Sequence, residues 1–160
     1  ESNAETSDGV AAIPQAWRAP GAITCVAGQS ALDELAATII AQLLRHRGFD
    51  PKLMTMADVS AANLAGAEIN GTKLVIISMV DIDHRGAYLK FLVRRLRRIL
   101  PHARFLGGFW KHDEGNIRLA EIAGVVPDKV KSLSEAVAFC VDQAMKDVPA
   151  PVPAEAVAAT

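Results

Sequence analysis

Apolar residues along this chain alternate between two periods. AITCVAG (22–28) is a short apolar run closed by glycine, the pattern of a buried strand. SALDELAATIIAQLLRHRG follows at helical spacing, with Leu32, Leu35, Ala36, Ile39 and Leu43 on one face; that face is predicted to pack into the core. Ser30 is a natural N-cap, Asp33 and Glu34 suit the positive helix start, and Arg45, Arg47 and Gly48 suit its end. PKLMTM reads as a second strand and ADVSAANLAGAE as a short second helix capped by Asp58. KLVIISMV (73–80) is apolar on both faces, as a central parallel strand covered by helices must be. A long third helix over about 85–100 is closed by Pro101, with Leu89, Leu92, Val93, Leu96 and Leu100 as its core face. ARFLGGF (103–109) is a fourth strand, GNIRLAEIAG a fourth helix, DKVKS a short edge strand and LSEAVAFCVDQAMK a final helix.

Strands separated by helices predict right-handed crossovers and a parallel sheet. Five of each fit a flavodoxin-like, three-layer α/β/α fold with strand order 2-1-3-4-5. The folded body is expected over residues 21–147. Residues 1–20 read as a linker whose Trp17 packs onto the domain, and residues 148–160 as a disordered Pro/Ala-rich tail. The opening ESNAE contains SNA, which resembles the scar of a cleaved purification tag and implies a domain excised from something larger.

Composition narrows the classes. A chain of 160 residues, 51% hydrophobic and 22% charged, can bury one ordinary core. A net charge of -1 gives no global pull toward nucleic acid or anionic lipid, so any such pull must be local. Cys25 and Cys140 lie in apolar surroundings without metal-ligand or redox spacing and read as buried thiols in a reducing, cytoplasmic setting. No apolar run is long enough to span a bilayer.

In an open parallel sheet, ligands settle beyond the carboxyl ends of the strands, where the order reverses. Here the loops concerned are AGQSALDE, SMVDIDHRG and GGFWKHDEG. Gly28, Gln29 and Ser30 offer backbone N–H groups at a helix start, although no dinucleotide or phosphate-loop fingerprint is present. The pair Gly107 and Gly108 implies either a ligand close to the backbone or a tight turn, and Trp110 adds a flat surface. Asp81, Asp83 and His84 read as a solvated loop with helix capping; adjacent residues seldom converge on one ion. His112, Asp113 and Glu114 stand on a neighbouring loop. Neither a phosphoacceptor arrangement nor a GxSxG elbow is present, so no enzyme is expected.

GQSALDELAATIIAQLLRHRGFDPKLM, LVIISMV and ARFLGGFW together resemble the cobalamin-binding domain family over about residues 22–145. In that family a D-x-H-x-x-G motif follows strand one, a Ser follows strand three, and a Gly-Gly pair lies beside the cofactor's nucleotide tail. Ser78, Gly107 and Gly108 occupy the matching places. Asp33 matches the motif's Asp, but Leu35 stands where the cobalt-ligating His belongs and Thr38 replaces the last Gly. The resemblance therefore implies a domain that has lost its cobalt ligand. Histidine-less domains of this kind resemble the soluble C-terminal modules of bacterial permeases similar to the autoinducer-2 exporter family.

The third helix carries Lys90, Arg94, Arg95, Arg97 and Arg98 with no acid among them. Such a strip is either a solvated outer face or a docking strip for an anionic partner. The chain is thus expected to be a non-catalytic cytosolic regulatory or interaction domain of a bacterial membrane transport protein, without a cofactor. Its expected partner is a parent membrane domain, another protein or an anionic membrane surface, not nucleic acid, with a homo-oligomer left open. The alternative is a sensor holding a nucleotide or cobalamin-type ligand against Gly28, Gln29, Ser30, Ser78, Gly107, Gly108 and Trp110.

Overall fold

The computed structural model describes residues 12–65, 68–82, 85–110 and 124–147. Five parallel strands, β1 (Ile23–Ala27), β2 (Lys52–Met54), β3 (Leu74–Met79), β4 (Arg104–Phe109) and β5 (Asp128–Val130), lie in the order β2-β1-β3-β4-β5. This is the flavodoxin-like sheet. Every residue of β1 and β3 is buried, because helices cover both sides of the central strands. The helices are α1 (Gln15–Arg18), α2 (Ala31–His46), α3 (Ala61–Ala65), α4 (Gly86–Ile99) and α5 (Leu133–Lys146). The expected helix GNIRLAEIAG and the tail 148–160 lie outside the described residues.

Strand alternation divides the core between two layers. Ile23, Cys25, Leu74, Ile76 and Leu106 meet α2 and α5, while Val26, Val75, Ile77, Met79 and Phe105 meet the α4 side. All five residues predicted for the core face of α4, from Leu89 to Leu100, are buried. The pairing register sets Ala27 beside Ser78 and Ser78 beside Gly108. Three predicted loops therefore start from one row at the carboxyl edge of the sheet.

Three expectations need correction. Ile13 and Trp17, assigned to a linker, are buried in the core next to α2 and α5, so the packed unit begins before residue 21. The Trp17 indole N–H donates to Asp147 at the end of α5 (2.9 Å), and Lys73 approaches the same carboxylate (3.3 Å). The short helix α3 is capped by Ser60, whose Oγ accepts from the N–H of Asn63 (3.4 Å). Asp58 instead turns back to accept from the N–H and hydroxyl of Thr55 (2.8 and 3.0 Å).

The third correction concerns α2. The face expected inside, Leu32, Leu35, Ile39 and Leu43, points outward, with Leu32 59% and Leu35 55% exposed. The buried face is Asp33, Ala37, Ile40, Ala41 and Leu44. Two stripes of the same period compete on this helix, and the physical reason for the outcome is Asp33. Its carboxylate is held from several sides at the sheet edge, which fixes the rotation of α2. The alanines at 37 and 41 then let the helix lie close against β1 and β3.

Candidate functional site

Asp33 is fully buried at the first turn of α2. Ser30 and Asp33 form a reciprocal capping box: Ser30 Oγ accepts from the N–H of Asp33 (3.1 Å), and Asp33 Oδ2 accepts from the N–H of Ser30 (3.0 Å). Arg85, at the start of α4, donates to the same Oδ2 (3.0 Å). The N–H of Val80, just beyond β3, donates to Oδ1 (2.7 Å). Three N–H donors from three segments thus compensate one buried charge, as such a charge requires. Gly28 belongs to this arrangement, because a Cβ there would overlap the Asp33 carboxylate.

Ser78 extends the network. Its hydroxyl donates to the backbone carbonyl oxygen of Asp33 (3.0 Å) and accepts from the Trp110 indole N–H (2.9 Å). The Trp110 ring lies in the space that a side chain on Gly108 would need, and the Phe109 ring does the same for Gly107. The glycine pair is therefore explained by the chain's own aromatic rings two residues further on. Of the sequence-predicted residues, Gly28, Ser30, Ser78, Gly107, Gly108 and Trp110 converge on this edge. Gln29 is exposed in the same loop.

The site is closed on itself. Its hydroxyl and carboxylate are engaged by protein donors and acceptors, and neither is poised as a free nucleophile or base. Tyr88 on α4 is the exception: its hydroxyl is buried and has no hydrogen-bond partner among the described residues. Burial pushes its pKa up; Arg95 opposes that push and the Asp33 carboxylate adds to it. Asp81 is exposed, and Asp83, His84, His112, Asp113 and Glu114 lie outside the described residues. Among the described residues no group of three or more His, Cys, Asp or Glu could hold a metal ion.

Cobalamin does not fit the residues present. Leu35, in the register of the cobalt ligand, has no lone pair and stands on the outer face of α2. The indole of Trp110 fills the space over Gly108 and takes the Ser78 hydroxyl. Both cysteines are buried, and burial pushes the Cys25 thiol up to about 12, with Cys140 raised as well.

A second candidate surface is α4. Lys90, Arg94, Arg97 and Arg98 are exposed, whereas Arg95 is half-buried and donates to the carbonyl oxygen of Val59 (3.0 Å). Arg97 donates to the carbonyl oxygen of Val125 (2.8 Å), and Lys90, Arg94 and Arg97 border a notch of about 250 Å³. Lys90, Arg94 and Arg98 have no ion-pair or hydrogen-bond partner among the described residues. They recur at i, i+4 spacing, where like charges repel by a few tenths of a kcal/mol per pair. Phe91 stands beside this row, 51% exposed, with the Arg95 guanidinium 4.4 Å from its ring centre.

A cleft of about 620 Å³ lies at the opposite, amino edge of the sheet, bordered by Trp17, Lys73, His102, Arg104 and Asp147. Its cations are already engaged: Lys73 by Asp147, and Arg104 by Asp128 (2.9 Å) and Gln143 (2.6 Å). Comparison with protein-family models, curated proteins and solved structures finds no match for the chain. The fold and the two surfaces above are therefore the basis for a functional reading.

Proposed function

We propose that this chain is a non-catalytic interaction domain that docks through α4 on an anionic membrane surface, as the soluble part of a bacterial membrane transport protein. One observation carries the reading: an outward row of four cations, Lys90, Arg94, Arg97 and Arg98, without an acidic partner among the described residues and with an exposed Phe91 beside it. Cations flanking an exposed aromatic ring suit a lipid headgroup layer, where the charges meet phosphates and the ring enters the interface. The cobalamin-domain resemblance without its cobalt ligand supports a fold kept for its surfaces. Among the described residues no helix is long and apolar enough to cross a membrane.

The magnitude agrees with a tethered module. Four cations at about 1 kcal/mol each give roughly 4 kcal/mol, a Kd near the millimolar range. Attachment to a membrane partner would raise the effective concentration enough to make so weak a contact productive. Co-sedimentation with vesicles of phosphatidylserine and phosphatidylcholine at low salt tests this. Binding should rise with the phosphatidylserine fraction, weaken with salt and disappear in Arg94→Glu/Arg98→Glu. Binding that is unchanged in that variant would remove α4 from the account. The sensor alternative needs Trp110 to leave Ser78 and Gly108 before any flat ligand enters, so it is the less economical reading.

A further inference from the structure

The outward face of α2 is unlike the surface of a solvated helix. Leu32, Leu35, Ile39 and Leu43 are each more than a third exposed, and they follow one stripe at i, i+3, i+7 and i+11. No charged side chain interrupts it between Leu32 and Leu43. Glu34 and Arg45 project from the other flank, where Arg45 reaches the carbonyl oxygen of Pro51 near the β2 edge (3.5 Å). On the stripe's other side α2 packs beside α5. Helical spacing directs Ala138, Val141 and Met145 of α5 toward α2, and Met145 is 36% exposed. Exposed apolar side chains thus stand on both helices of this layer, in a row on α2 and at Met145 on α5, where scattered single exposures would be the rule.

We propose that this patch is a self-association surface, through which two copies of the chain pair by antiparallel α2 helices about a two-fold axis at Ile39. The stripe is nearly symmetric about that residue. Placing Ile39 against Ile39 of the second copy sets Leu35 opposite Leu43 and Leu43 opposite Leu35, the self-complementary match that an isologous contact requires. The charges agree with that direction. Reversal brings the acidic first turn of one α2, with Glu34, level with the basic last turn of the other, with Arg45 and His46, and sets opposite ends of the helix dipoles side by side.

The size sets the strength. A helix of 16 residues is about 24 Å long, and α5 beside it widens the face to roughly 20 Å. Two such faces bury on the order of 1,000 Å², the lower limit for a specific interface. The dimer is therefore weak and reversible. It uses the layer opposite α4, so both cationic rows remain free, and the inference stands independently of membrane docking.

Sedimentation equilibrium on the whole chain tests it. The average mass should climb toward twice the monomer mass as concentration rises from micromolar to millimolar. Leu35→Glu and Ile39→Glu should both hold the chain monomeric, with the thermal midpoint nearly unchanged for Leu35, 55% exposed, and somewhat lowered for Ile39, 37% exposed; Leu35→Gln is the milder control should either acid disturb folding. Ile39→Cys adds the geometric test. The native thiols are buried, so mild oxidation should cross-link residue 39 to its own copy far faster than Lys90→Cys on α4. A wild-type chain that stays monomeric at millimolar concentration overturns the proposal, as does a dimer that survives Ile39→Glu. Cross-linking no faster at 39 than at 90 overturns the two-fold geometry. Arg94→Glu/Arg98→Glu should leave the mass distribution unchanged, which separates this surface from the membrane contact.

Discussion

Asp33 is the residue whose removal should harm this fold most for the fewest atoms lost. Asp33→Ala deletes a fully buried carboxylate that accepts from Ser30 N–H, Val80 N–H and Arg85. The Val80 N–H, at 2.7 Å the shortest of the three, loses a charge-assisted bond worth about 2–3 kcal/mol. Loss of the capping box removes about 1 kcal/mol from the start of α2. Arg85 is 29% exposed and can turn to water, so its release adds little. The expected sum is about 3–4 kcal/mol, a large share of the roughly 5–15 kcal/mol that holds a domain together. Asp33→Asn tests the chemistry at constant shape. One amide oxygen can still serve Val80, but the NH₂ group then faces the N–H of Ser30 and the guanidinium of Arg85, costing about 2 kcal/mol. Urea unfolding followed by fluorescence suits the measurement, because Trp110 reports on the site and Trp17 on the far end of the sheet. Coincident transitions for local and global probes, shifted in the order Ala beyond Asn beyond Arg85→Ala, are expected. A cost below 1 kcal/mol for both Asp33 variants would refute the reasoning and reduce the network to a bystander.

The remaining expectations are shorter. Tyr88→Phe removes a buried hydroxyl without a partner among the described residues and should raise stability by about 1 kcal/mol in the same urea assay; a loss would mean that the hydroxyl is satisfied in solution. Gly108→Ala places a methyl group into the Trp110 ring, so Trp110 should leave Ser78, with a red-shifted emission and a loss of about 1–3 kcal/mol. The Cys25 thiol, raised to about 12 by burial, keeps its proton in the fold after unfolded chains have lost theirs. Its contribution is thus fully present below about pH 8.5 and declines by about 1.4 kcal/mol per pH unit as pH rises toward 12. Cys140 is raised by burial too, so denaturant midpoints measured from pH 8 upward should fall about twice as steeply as one thiol predicts, Cys25→Ala should halve that slope, and Cys25→Ala/Cys140→Ala should remove most of it. For Asp147 the sign is opposite. Its bonds to Trp17 and Lys73 hold its carboxyl below the usual range, so that small contribution is present at neutral pH and lost as acid protonates it.

The sheet was legible because its signals are local. An eight-residue apolar run such as KLVIISMV has few ways to be satisfied other than as a covered central strand, and helical periods between such runs imply crossovers of one hand. On α4 the arginines left a single apolar stripe, so the buried face followed directly from the pattern. On α2 they did not. Leu32, Leu35, Ile39 and Leu43 make a more apolar stripe than Asp33, Ala37, Ile40, Ala41 and Leu44, and counting hydrophobes selects the wrong one. The deciding interaction joins Asp33 to Val80 and Arg85, about fifty residues away, and no period within the helix carries it.

A weaker signal for that interaction was nevertheless present. Arg85 opens α4, where a cation opposes the helix dipole, and it has no acid within the next turn to offset it. A charge placed against its local field implies a partner elsewhere in the fold. Asp33, an acid on a helix with two apolar faces, is the complementary oddity. The pair also explains why the glycines at 28 and 108 are not evidence of a ligand. One makes room for the Asp33 carboxylate and the other for the Trp110 ring, so at these two positions of the carboxyl edge, where this fold ordinarily admits ligands, the space is taken by the chain's own side chains. Chemistry that has been closed off at the edge leaves the two outer helical faces to distinguish this domain: a cationic row on α4 and an aliphatic stripe on α2, on opposite sides of one rigid sheet. On the two proposals above, each contact uses its own outer helix, so neither would need the core to move.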